Sequence, residues 1–179
     1  METLMNCVCD NYIDLDLQRN DISKRIKESK LLKKHLKTIV KPKNSNEKLY
    51  QCDICNQFWQ GSFAWNFGNG EYLFKVPFTE MVEWENEHYI APDTILIYLA
   101  LMERYLKENA FRKSNQVCKK ENCNNKSLEG VNFCLEHHIK SLQNIGNLPK
   151  EPQGKLFPPY DGVFNKYKSH FDETIRSFC

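Results

Sequence analysis

The stretch Lys48-Leu-Tyr-Gln-Cys52-Asp-Ile-Cys55-Asn-Gln-Phe-Trp59 sets two cysteines three positions apart, between two short runs of strand-forming residues. A loop this short lets both sulfurs converge on one point without strain, as a zinc site requires. Just beyond it, aromatic residues alternate. Phe63, Trp65 and Phe67 lead into the turn Gly68-Asn-Gly70, and Tyr72, Phe74 and Val76 alternate on the return. This pattern predicts a β-hairpin over residues 62–76, ended by Pro77, as the nucleus of the core.

A second cluster lies further along. Cys118-Lys-Lys-Glu-Asn-Cys123 is followed, after ten intervening residues, by Cys134-Leu-Glu-His137-His138. Residues 135–145 read as a helix that Gly146 terminates, so Cys134 stands at its start and both histidines fall on the sulfur's side. Either histidine can complete a tetrahedral set with Cys118, Cys123 and Cys134; His137 is the preferred ligand. The first knuckle needs two more ligands, and Cys7-Val-Cys9 is the natural complement, with Cys179 left as a free thiol. His88 and Cys179 are the other candidates. Eight cysteines also invite a disulfide framework. The knuckle spacing argues against one, as does the start of the chain, which lacks a charged segment followed by an apolar one. The expected cofactor is therefore two structural zinc ions, and the expected location is the bacterial cytoplasm.

The segment from Cys118 to His137 resembles the short zinc segments found beside bacterial and phage HNH nuclease domains. That resemblance implies a zinc module and carries no catalytic residue. Residues 48–59 resemble one half of a zinc ribbon, with Cys7 and Cys9 as the implied partners across a long insertion.

The remaining elements read as amphipathic helices. Asn20-Asp21 can cap a helix to about Val40, where Lys41-Pro42 stops it. Asp93 can cap another to about Arg112, with Ile95, Tyr98, Leu99, Met102, Tyr105 and Leu106 as its buried stripe. After a Pro-rich stretch, Asp161 can cap a last helix bearing Phe164, Tyr167, Phe171, Ile175 and Phe178 on one side. The expected fold is α+β: a small antiparallel aromatic sheet with several amphipathic helices, stapled by two zinc sites. The elements interleave too closely for independent domains, so residues 1–179 are expected to form one. Within it, 1–78 hold the knuckle and hairpin, 79–146 the helices and second zinc module, and 147–179 the Pro-rich loop and last helix.

Composition narrows the function. The chain has 179 residues, 41% hydrophobic and 27% charged, with a formal net charge of +2. This composition suits a globular protein, and no apolar run is long enough to span a membrane. No Walker loop, nucleophile elbow, H-E-x-x-H or dinucleotide fingerprint occurs. A closed zinc set leaves no open coordination position, so no enzyme activity is expected.

Charge is segregated along the chain. Residues 19–43 carry ten Lys and Arg against Asp21 and Glu28. Residues 71–93 carry six carboxylates against Lys75, with Glu80, Glu83, Glu85 and Glu87 crowded around Trp84 and Tyr89. These four glutamates and two aromatics are the candidate partner-binding residues, an acidic surface for a basic protein. In general style the chain resembles small zinc-stapled immunity proteins, which implies neutralisation of a bacterial toxin, such as a nuclease, by direct binding. The alternative is a zinc-finger nucleic-acid-binding protein working through the basic segment.

Overall fold

The computed structural model describes residues 7–178. It is α+β, with a four-stranded antiparallel sheet whose strands lie side by side in chain order and a separate two-stranded ladder. The chain divides into two compact units: the segment up to Leu96 with Gln153–Tyr160, and Ile97–Pro152 with the chain from Asp161 on. Cys179 lies outside the described residues, so its expected role as a free thiol does too.

In the first unit, helix α1 (Arg19–Leu32) precedes strands β1 (Lys37–Val40), β2 (Lys48–Gln51), β3 (Phe58–Ala64) and β4 (Gly70–Val76), and then the short helix α2 (Met81–Asn86). The expected hairpin is present. It starts earlier, at Phe58, and its turn contains one 3-10 turn, Trp65–Phe67, before Gly68 at φ 87°. Register pairs Tyr50 with Trp59 and Trp59 with Lys75, while Leu49 pairs with Gln60 and Gln60 with Phe74. One face of the sheet therefore carries Tyr50, Trp59 and Leu73, and the other carries Leu49, Gln60, Tyr72 and Phe74. All seven are buried. The sheet is covered on both sides, which is why Leu73 interrupts the apparent one-sided alternation. The first face packs on Cys7, Cys9, Leu32 and Cys52. On the second, Phe157 stacks on Phe74 at 6.1 Å.

The helix expected to reach Val40 ends at Leu32. Residues 37–40 form an edge strand instead, antiparallel to β2. Leu36 and Ile39 fit a helical stripe, but Thr38-Ile39-Val40 is a β-branched run that favours extended backbone once a partner strand is available. Along its length α1 seals the opposite edge of the sheet. A Cβ on Gly70 would meet the Cγ2 of Ile26 at 2.4 Å, so only glycine permits this close approach. Leu73 of β4 turns its N–H and C=O away from β3. The N–H donates to Ser29 Oγ at 2.9 Å, and the C=O accepts from the Arg25 guanidinium at 3.1 Å. Both groups would otherwise be bare edge sites inviting another strand.

Helix α3 (Pro92–Glu108) begins at proline, which suits the first helical position. Asp93 thus lies inside the first turn. Its carboxylate accepts from the buried Tyr72 hydroxyl at 2.6 Å. Ile95, Tyr98 and Met102 are buried as the periodicity predicts. Helix α3 stops before Arg112. Residues beyond it form a ladder not evident from the sequence, β5 (Lys113–Val117) with β6 (Lys126–Leu128). Helices α4 (Leu135–Asn144) and α5 (Tyr160–Phe178) follow, the former closed by Gly146 at φ 80°.

Candidate metal centres and the acidic surface

The first centre is built from two segments 45 residues apart in sequence. Cys52 leaves β2 and Cys55 ends a tight turn. Asn56 takes a left-handed conformation, φ 59°, and its N–H donates to Cys52 C=O at 3.0 Å. Asparagine tolerates that conformation better than most residues. Cys7 and Cys9 flank the start of a 3-10 turn at residues 8–11, which brings both sulfurs to one side. The Sγ of Cys7 stands 3.4 Å from that of Cys52 and 3.1 Å from that of Cys55. All four sulfurs lie within 4.8 Å of one another.

Zinc–thiolate bonds of about 2.3 Å at tetrahedral angles place neighbouring sulfurs roughly 3.8 Å apart. The group fits that dimension, and all four are soft sulfur donors. Burial opposes ionisation of Cys52, but N–H groups of Cys55 and Ile54 point at its sulfur and bring the thiol down to about 7. Burial pushes the Cys9 thiol up, opposed by the indole N–H of Trp59. A bound cation would stabilise such a partly desolvated cluster in its thiolate form.

The second centre belongs to the other unit. Cys118 directly follows β5, and its N–H donates to Asn125 C=O, closing a loop that carries Cys123. Asn122 supplies the left-handed residue here, at φ 59°. Cys134 precedes α4, and His137 lies one turn on. His137 Nδ1 stands 3.2 Å from Cys134 Sγ and 3.5 Å from Cys118 Sγ, and Cys123 Sγ is 3.9 Å from Cys134 Sγ. Burial raises the Cys118 thiol, yet backbone N–H groups of Cys134 and Lys120 outweigh it and hold the thiol below its ordinary value.

The choice between histidines is resolved by this geometry. His138 turns to Tyr105, with ring centroids 6.5 Å apart. His88 joins neither group; it lies against Trp84 at 4.3 Å. Each of the two groups could hold a metal ion, with every donor supplied by the chain.

The acidic stretch divides differently from expectation. Glu80, Glu83, Glu85 and Glu87 are exposed, but Trp84 is wholly buried and Tyr89 nearly so. Neither aromatic can touch a partner. The cause is Gln60, a buried amide on β3. Its Oε1 accepts from Trp84 Nε1 at 2.8 Å and from Tyr89 N–H at 3.1 Å. Its Nε2 donates to Tyr89 C=O at 2.8 Å and to Ser62 Oγ at 3.3 Å. One side chain thus anchors both ends of the segment.

The apolar groups that do face solvent there are Phe78, Met81 and Val82, at 74%, 52% and 69% exposure. Phe78 falls outside the strand alternation, after Pro77, and that break was the available signal. The two charged stretches meet at one point, where Lys33 of the basic stretch pairs with Glu71 of the acidic one. Lys48 shares Glu71 of β4 with Lys33, and Glu83 has Lys155 at 3.9 Å. Among the described residues, no helix is long and apolar enough to cross a membrane. No protein-family model matches the chain, and neither does any curated protein or solved structure.

Proposed function

We propose that this chain is a non-catalytic binding module, stapled by two structural zinc ions, whose acidic surface at residues 78–87 docks a basic protein. Zinc follows from the donors. Four thiolates, or three thiolates and one imidazole, at tetrahedral spacing suit zinc better than any hard cation. Protein fills all four positions, so a bound ion has no site for substrate or water.

The observation that carries the docking role is the exposure of Phe78, Met81 and Val82 amid Glu80, Glu83, Glu85 and Glu87. Apolar groups ringed by charge of one sign match the make-up of an interface core and rim. The charge selects a cationic counterpart. The Gln60 anchor holds the segment in place beforehand, which lowers the ordering cost of binding. In its most specific form this reading is an immunity protein covering the phosphate-binding cleft of a basic nuclease toxin.

Affinity capture of partners with wild type and with the double variant Glu83→Lys, Glu87→Lys tests the reading. The wild type should retain a basic protein in a salt-sensitive manner. The variant should fold, keep its metal and lose that partner. Retention of the same partner by both would refute the docking role.

A further inference from the structure

The aromatic strand and the basic helix are left unused by the acidic surface, and the fold brings them together. Trp65 is 62% exposed and stacks on Phe63 at 5.8 Å with 29° between the ring planes. Two positions on, the Arg19 guanidinium sits over the Phe67 ring at 5.2 Å. The 3-10 turn carrying Trp65 and Phe67 is thereby pinned to the start of α1. An indole held on a second ring, with its far side in solvent, is a ready stacking surface.

Helix α1 continues from this shelf as a basic ridge. Arg19 meets Phe67, Ile26 meets Gly70 and Lys33 meets Glu71, so residues seven apart mark the side of α1 that faces the sheet edge. Lys27, Lys30 and Lys34 stand next to that side and are exposed. At 1.5 Å per residue α1 is about 21 Å long, and Lys27 to Lys34 take up about 10 Å at its far end. The ridge ends at a cavity of about 320 Å³ lined in part by Lys34, His35, Lys37 and the exposed Ile54 of the first metal loop.

We infer that the Trp65 shelf and the α1 ridge together bind single-stranded nucleic acid, with a base stacked on Trp65 and the phosphates along Lys27, Lys30 and Lys34. Stacking platforms joined to a cationic track are how proteins hold single strands without reading sequence. Charge decides the occupant. The exposed side chains are lysines, which suit phosphates as point charges, and a base has the flat π-face that the indole lacks a partner for. A duplex hides its bases and gains nothing from Trp65. This surface is separate from residues 78–87, so either role can fail without the other.

Tryptophan fluorescence tests it directly, because Trp59 and Trp84 are fully buried and Trp65 is the exposed indole. Oligothymidylate of about 15 nucleotides, a length suited to one such site, is added at low salt. Saturable quenching is expected, with affinity falling linearly on a log–log plot against salt. Trp65→Phe should keep most of the affinity and lose the quenching. Trp65→Ala should bind about tenfold more weakly. Lys27→Gln with Lys30→Gln should give a shallower salt slope, and Phe78→Ser should change nothing. Absence of binding, or unchanged affinity in Trp65→Ala, would overturn the inference. Equal quenching by poly-glutamate would assign the face to an acidic polypeptide instead.

Discussion

The indole N–H of Trp59 points at the Sγ of Cys9 across 3.3 Å. Trp59, the second residue of β3, packs edge-on against Tyr12 at 6.1 Å and is capped by the Arg25 and Lys75 side chains. The first metal centre is therefore continuous with the hydrophobic core. Its sulfur charge is oriented by the same residue that fills the sheet face, so metal loss and core loosening should be one event.

Replacing Trp59 with Phe keeps an aromatic ring in place and removes the N–H. Zinc affinity at the first centre should fall by about tenfold, as for other groups that orient metal ligands. Competition with a chromogenic chelator reads this out. Unchanged affinity would show that the N–H does not help to hold the thiolate.

His137→Ala and His138→Ala separate ligand from neighbour. The first removes Nδ1 from the second centre and should cost one zinc equivalent and the order of α4. The second should retain both ions, since His138 faces Tyr105. Metal content of the two purified variants distinguishes them.

Gln60→Leu retains the approximate volume of the side chain and strips Trp84 and Tyr89 of their partners. Four buried polar groups, Ser62 Oγ among them, lose hydrogen bonds, and stability should drop by about 3 kcal/mol or more. Amide exchange should rise across residues 80–90 before it rises in β2 or β3. Uniform exchange would mean that Gln60 is not the anchor of the acidic segment.

Glu71 accepts from Lys33, Lys48 and the Tyr50 hydroxyl. Burial alone would raise its carboxyl, but the two lysines outweigh burial and hold it below the usual range. A depressed carboxyl adds stability that is complete above its unfolded value and fades as pH falls through the folded one. Glu71→Gln should therefore be less stable than wild type at neutral pH, by about 1 kcal/mol. Denaturant titrations should show that gap narrowing on acidification. A gap that widens would reverse the sign.

Much of the site was legible because metal ligation imposes local spacing. Cys52 and Cys55 lie close in sequence, as do Cys134 and His137, and a short loop or one helical turn fixes their geometry. Cys7 and Cys9 could be assigned only by complement, since a fold brings them 45 residues across. The helix stripes of Ile95–Met102 and Phe164–Ile175 were legible for the same reason of local period.

What misled was set by distant partners. Residues 37–40 look helical until β2 is beside them. Trp84 looks like an interface anchor until Gln60, 24 positions earlier, claims its N–H. Trp65 continues the alternation of a core strand, yet the chain leaves the sheet at Ala64 and the indole faces solvent. Gln60 and Ser62, polar positions inside an aromatic strand, were the visible hint that this face buries a hydrogen-bond network.

The most direct test of the two-centre account is native mass spectrometry of freshly purified, reduced protein. Two bound zinc ions per chain, lost together with folded structure on chelation, are the predicted result. A folded chain carrying no metal or a single ion, or one lighter by the hydrogens that disulfides remove, would contradict it.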